Sequence, residues 1–115
     1  MKIIISPAKK LDFESPCNIS SASKAAFLTE SQELINVLKE FNSDELSQLM
    51  GISAGLANLN VKRFGDWHIP FSSSNVKQAL FAFQGDVYKS MDPQSFTPKQ
   101  LDFTQNNIRI LSGLY

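Results

Sequence analysis

Two short apolar runs stand at opposite ends of the sequence: Lys2 to Ile5, and Ile108 to Leu111. Both are rich in β-branched residues, which suit strands. The first is apolar without alternation. That pattern predicts a strand buried on both faces and central in a sheet. Between the two runs the sequence reads as helix and loop. Two strands are too few for a stable sheet, and a central strand needs a partner on each side. The fold class expected is therefore α/β, or α+β, with an incomplete sheet. The chain reads as the front part of a larger single domain, with residues 1–115 as its N-terminal portion.

Composition narrows function mainly by exclusion. Eleven basic residues balance eleven acidic ones, so net charge gives no hint of a polyanion partner, and any such hint must come from local clustering. Cys17 is the single cysteine and His68 the single histidine. A disulfide framework, a zinc quartet and a multi-histidine metal site are excluded within this sequence, and no metal or cofactor is expected. One Cys and one His are a thin basis for a nucleophile–base pair. No run approaches the roughly 18 apolar residues of a membrane span. The start Met1-Lys2-Ile3-Ile4-Ile5 resembles a signal peptide only until Pro7, Lys9 and Lys10 interrupt it. A cytoplasmic protein without a membrane partner is expected.

Residues 6–26, with two prolines and many serines, predict an extended loop. Phe27, Leu34, Ile35, Leu38 and Phe41 share a face at helical spacing and predict a helix over about 29–41. Ser43 then offers an N-cap, with Asp44 and Glu45 in the first turn. Leu46, Leu49 and Met50 make a short apolar stripe, and Gly51 stands where a helix-ending glycine belongs. Ser53 offers a second cap at once, before Leu56, Leu59, Phe64 and Trp67. The prediction is helix, tight turn, helix, with Gly51-Ile52-Ser53 as the hairpin. Pro70 breaks the second helix, and Ser72 to Ser74 offer caps for a short helix from about Asn75. Ala79 to Phe83 is strand or buried helix. Gly85-Asp86 marks a turn, followed by one helical turn over Val87 to Met91. Thr97-Pro98 opens a helix over 98–106.

Three constellations carry chemical suggestions. Ser6-Pro7-Ala8-Lys9-Lys10 follows the first strand, where open α/β sheets bind ligands. Two lysines there suit an anion, or are simply solvated. The segment lacks the glycines of a phosphate-binding P-loop. The helical hairpin would present backbone N–H groups to a phosphate, with Lys62 and Arg63 farther along. Equally, it is a purely structural hairpin, since strong DNA-binding hairpins carry two glycines and this one carries Gly51 alone. Gly85-Asp86-Val87-Tyr88 sets an acid and a phenol beside a turn, suited to acid–base work. Its plain reading is a capping Asp and a half-buried Tyr. Trp67 and the nine phenylalanines fall mostly on apolar faces, as core residues do.

Together these segments resemble a known family. Ile4-Ile5-Ser6-Pro7-Ala8-Lys9, Leu49 through Ile52-Ser53, Arg63-Phe64, Asp66-Trp67, Ala82-Phe83 with Gly85-Asp86-Val87-Tyr88, Arg109, and Leu111 through Tyr115 are similar to blocks of the YaaA family of bacterial peroxide-stress proteins. The blocks keep the family's order and spacing. The chain departs from it at Ser90-Met91, where the family often has glycine. The resemblance implies proteins more than twice this length, with Ile108 to Tyr115 near their midpoint. It also implies an unusual α/β fold with a helix-hairpin-helix and a positively charged cleft, similar to DNA-binding proteins. Such proteins limit hydrogen peroxide damage by keeping intracellular free iron low.

Carried over by position, the resemblance implies DNA contacts from Lys9, Lys10, Gly51, Ile52, Ser53, Lys62 and Arg63, and pocket positions for Ser6, Asp86, Tyr88 and Tyr115. The expected partner is double-stranded DNA, held by phosphate contacts without sequence readout. The alternative is a glycosylase-like enzyme acting on a nucleobase or nucleotide, with Lys9, Asp86 and Tyr88 as catalytic candidates. A third reading is a non-functional remnant of a truncated gene. Nothing in the residues resembles an iron site, so an effect on iron would be indirect.

Overall fold

Both terminal apolar runs form strands and find each other. The computed structural model describes residues 1–17, 19, 20 and 22–115. β1 (Ile3–Ile5) pairs in parallel with β2 (Ile108–Ile110), in the register Ile3↔Ile108, Ile4↔Arg109, Ile5↔Ile110. Parallel strands need a long crossover, and residues 6–107 supply it. Among the described residues this is the whole sheet, so its incompleteness stands as expected. Each strand is shorter by one residue than its sequence run. Lys2 lies outside β1, and Leu111 contributes only its N–H, to the Ile5 carbonyl at 3.0 Å.

The chain divides into two compact units. One comprises residues 1–24 and 76–113, and holds the sheet. Its helices are α4 (Ala79–Ala82), α5 (Asp86–Met91) and α6 (Pro98–Asn107), with a 3-10 turn at Pro93–Ser95. Phe81, Ala82, Tyr88 and Pro93 are its buried apolar side chains among the described residues. The open choice at Ala79 to Phe83 resolves into both alternatives. Four residues make one helical turn, and Phe83 forms an antiparallel bridge to Leu11. Asp12 N–H to the Ala82 carbonyl (2.7 Å) and Gln84 N–H to the Lys10 carbonyl (3.0 Å) extend that bridge. The predicted loop over 6–26 is thus fastened along its first half. Asn18 and Ser21, within it, lie outside the described residues. Thr97 and Gln100 form the capping box that opens α6, with Pro98 at its first position.

The other unit comprises residues 25–75 with Leu114 and Tyr115. It contains α1 (Leu28–Leu38), α2 (Ser43–Met50) and α3 (Ala54–Asp66). Its fully buried side chains are Ser31, Ile35, Leu46 and Ala57. The α1 periodicity placed Phe27 and Leu34 on the buried face, but they are 59% and 46% exposed, and the seam runs through Ser31 and Ile35 instead. Ser31 can be buried because its hydroxyl donates to the Phe27 carbonyl (2.7 Å) and to the Leu114 carbonyl. α1 also ends earlier than expected. Glu40 and Phe41 donate their N–H groups three residues back, the tightened winding common at helix ends.

Two cap expectations need correction. The N-cap of α2 is Asn42, with Ser43 already helical. Asn42 Oδ1 accepts from Asp44 and Glu45 N–H, and Glu45 Oε2 accepts from Asn42 N–H at 2.9 Å. Only Asn42 has a glutamate three residues on to close this reciprocal box. The short helix expected from Asn75 is a turn. The Asn75 side chain accepts from Ser72 N–H (2.7 Å) and donates to the Pro70 carbonyl (3.1 Å). Such local side-chain bonds compete with helix formation. The Ile69–Pro70 peptide bond is cis.

Candidate functional site

The hairpin between α2 and α3 is built as the sequence predicts. Gly51 adopts the left-handed conformation (φ 61°, ψ 43°), which costs other L-residues about 1–2 kcal/mol. The Ser47 carbonyl accepts from Ile52 N–H at 3.2 Å, and Ser47 Oγ donates to the Ile52 carbonyl at 2.6 Å. The turn is therefore pinned from both sides. Ser53 caps α3 by accepting from Leu56 N–H at 3.3 Å, while its carbonyl accepts from Ala57 N–H. The N–H groups of Ala54 and Gly55 have no partner among the described residues. Both residues are exposed, and a Cβ built on Gly55 would meet nothing within 4 Å. A 13-residue helix thus opens onto solvent with unpaired donors at its positive end.

Lys62 and Arg63 share α3 with that turn but stand eight and nine residues beyond Ala54, about 12–14 Å along the axis. Lys62 is exposed and Arg63 half-buried. In the same unit, Tyr115 accepts a hydrogen bond from Trp67 Nε1 at 2.8 Å and sets its ring edgewise against Phe71. That contact ties the last residue of the chain to the segment following α3.

The other candidates lie in the sheet-bearing unit. Ser6 and Tyr88 come together: the Tyr88 hydroxyl donates to the Ser6 carbonyl at 2.6 Å. Tyr88 is 3% exposed, and its ring lies 5.2 Å from that of Phe83. Burial raises its phenol above the usual value of 10. A phenol so held is no base near neutral pH, and its proton already has an acceptor. Gly85 is required for close approach, because a Cβ there would meet the Ala8 Cβ at 3.0 Å. The anion-candidate loop is thereby laid against the start of α5. Lys9 and Lys10 are exposed, and no ion pair among the described residues engages them. Asp86 begins α5, is exposed, and does not cap it. Tyr115 belongs to the other unit, apart from Ser6, Asp86 and Tyr88 in the division of the chain.

Sequence reasoning missed a clamp on the loop. Lys77, with a side chain 7% exposed, donates to the Asp12 and Ser15 carbonyls at 2.9 Å each and approaches the Asp12 carboxylate at 3.9 Å. Gln78 donates to the Ile19 carbonyl at 2.7 Å and accepts from Cys17 Sγ at 3.4 Å. Asp12-Phe13-Glu14-Ser15 was the available signal, since Asp side chains bond backbone N–H groups two and three residues on. Asp12 Oδ1 accepts from Glu14 and Ser15 N–H at 2.9 Å. Hydrogen bonds from Ser15, then Glu14, and the Lys77 charge lower its carboxyl from 3.8 to about 2. A depressed acid stabilises the fold above its unfolded pKa, and the contribution fades as pH falls through the folded value. The Asp12 turn is therefore expected to persist at pH 4 and open between about pH 4 and 2. Carboxyl NMR titration checks this; a midpoint near 3.8 would contradict it.

Among the described residues, no three His, Cys, Asp or Glu side chains gather as a metal site would require. No described helix is long and apolar enough to cross a membrane. The structure thus defines a mixed α/β protein with a parallel strand pair and a glycine-turned helical hairpin. A sequence model for the peroxide stress protein YaaA matches residues 1–115, and the chain belongs to that family. It is 49% identical to a UPF0246 protein of Teredinibacter turnerae over its full length, which is 45% of that relative. It is 48% identical to a UPF0246 protein of Shewanella sp. (strain MR-4), again over 45% of the relative, and 44% identical to one of Burkholderia cenocepacia, over 44%. The chain thus spans somewhat less than half the length of the curated relatives it matches.

Proposed function

We propose that this peroxide stress family member binds double-stranded DNA through phosphate contacts, with little sequence readout, and so protects it during peroxide stress. The observation that carries the reading is the start of α3. There the left-handed Gly51 and the Ser53 cap leave the Ala54 and Gly55 N–H groups exposed and, among the described residues, unpaired. Helix N-termini of this kind favour phosphate through unpaired donors and the helix dipole. Lys9 and Lys10 in one unit, and Lys62 on α3 in the other, are exposed cations suited to further phosphates. Ferrous iron converts peroxide into hydroxyl radical, which breaks DNA, so a DNA-bound protein fits a peroxide response without an iron site of its own. The enzyme reading gains less support, because Tyr88 is buried with its hydroxyl engaged.

Gly55→Glu separates folding from binding. An acidic residue in the first turn stabilises a helix by about 0.3–1 kcal/mol, and replacing glycine adds helix propensity. The same carboxylate repels phosphate and competes for the N–H groups. The variant is expected to melt no lower than the parent while its affinity for a duplex, read by fluorescence anisotropy, falls about fivefold. Unchanged affinity in the folded variant would remove the hairpin from the interface.

A further inference from the structure

We infer that the outer edge of β1 is a docking surface for a β-strand from the portion of a full-length family polypeptide that this chain does not cover. The argument starts from hydrogen-bond direction. In a parallel pair, alternate residues of each strand turn their N–H and C=O toward the partner. The Leu111 N–H bond to the Ile5 carbonyl, with the register Ile5↔Ile110, assigns Ile3 and Ile5 to β2. The N–H and C=O of Ile4 therefore point to the opposite edge, where no described residue pairs with them. An unpaired N–H and C=O at the centre of an apolar strand are a template for another strand.

The side chains point the same way. Ile4 is 65% exposed although it is flanked by isoleucines, and Leu111 just beyond β2 is 57% exposed. Parallel sheets are covered on both faces in stable proteins, so an exposed Ile4 marks a face awaiting cover. β1 is only three residues long, itself a device against unwanted pairing, but no charge, proline or bulge in Ile3–Ile5 blunts its edge. The occupant follows from length. The Teredinibacter turnerae relative matches this chain with only 45% of its own length. The uncovered part is long enough to carry further strands, and a strand of the same polypeptide pairs with β1 without the entropic cost of association.

The test is to produce the 115-residue chain together with the uncovered portion of that relative, with only the latter tagged. The expected result is a one-to-one complex on copurification and size exclusion. In it, the Ile4 amide exchanges with deuterium at least tenfold more slowly than in the chain alone. Ile4→Glu, which keeps the bonds between β1 and β2, is expected to abolish the complex; circular dichroism of the variant alone checks that its fold persists. Ile4→Val, which keeps the apolar strand, is expected to retain it. Three results would each overturn the inference: no complex with either the parent chain or Ile4→Val, a complex in which the Ile4 amide exchanges as fast as before, or a homodimer of this chain protected at Ile4.

Discussion

Leu46→Ala is expected to cost about 2–5 kcal/mol of stability, which is enough to unfold a marginal helical unit at room temperature. Leu46 is fully buried, and with Ile35 and Ala57 it makes up the apolar centre of the three-helix unit. So small a core has no second layer to collapse into the space left by a removed isobutyl group. The cost therefore combines lost transfer energy with an unfilled cavity. Leu49, three residues on in α2, provides the control. It is 62% exposed, so Leu49→Ala is expected to change stability by no more than about 0.5 kcal/mol. Denaturant melts of the two variants check the contrast directly. Equal effects would mean that α2 does not pack through Leu46.

The local turns and caps were legible in the sequence because they depend on residues adjacent in the chain. Gly51 ends α2 in the left-handed conformation, Ser53 caps α3, and Thr97-Pro98 opens α6. The corrections share a cause: several residues of similar propensity competed, and geometry chose among them. Asn42 displaced Ser43 as cap because Glu45 lies at the right distance to reciprocate. Asn75 tied its segment into a turn because the Ser72 N–H and the Pro70 carbonyl are both within its reach. On α1, periodicity located the stripe but missed its centre by part of a turn. A buried serine is invisible to an apolar count, and Ser31 depends on a carbonyl from the far end of the sequence.

The candidate site was legible to a different degree. Its hairpin is local and could be read from spacing. The pairing of Tyr88 with Ser6 and the clamp from Lys77 to Asp12 join residues more than sixty apart in sequence. No periodicity reports such contacts. They change the chemistry expected of the residues involved. Tyr88 acts as a tether for the loop after β1, and the lysines that remain exposed beside it are Lys9 and Lys10. The parallel pairing of the two terminal runs also lay beyond any local pattern, although their composition marked both as strands.

The proposal that phosphate contacts carry DNA binding makes the second large prediction, and salt dependence is its most direct measure. Net charge is zero, so a general attraction to a polyanion contributes nothing, and local cations must supply the interaction. Each cation that neutralises a phosphate contributes about −0.9 to the slope of log K against log salt. Three such contacts, one for each exposed lysine named in the proposed function, give a slope of about −2.7, or a loss of about 40-fold in affinity between about 50 and 200 mM salt. The measurement is anisotropy of a labelled duplex titrated with this chain across that range, using two unrelated sequences. The expected result is a steep linear fall that is the same for both duplexes. An affinity unchanged by salt, or binding to one sequence only, would contradict the proposed function.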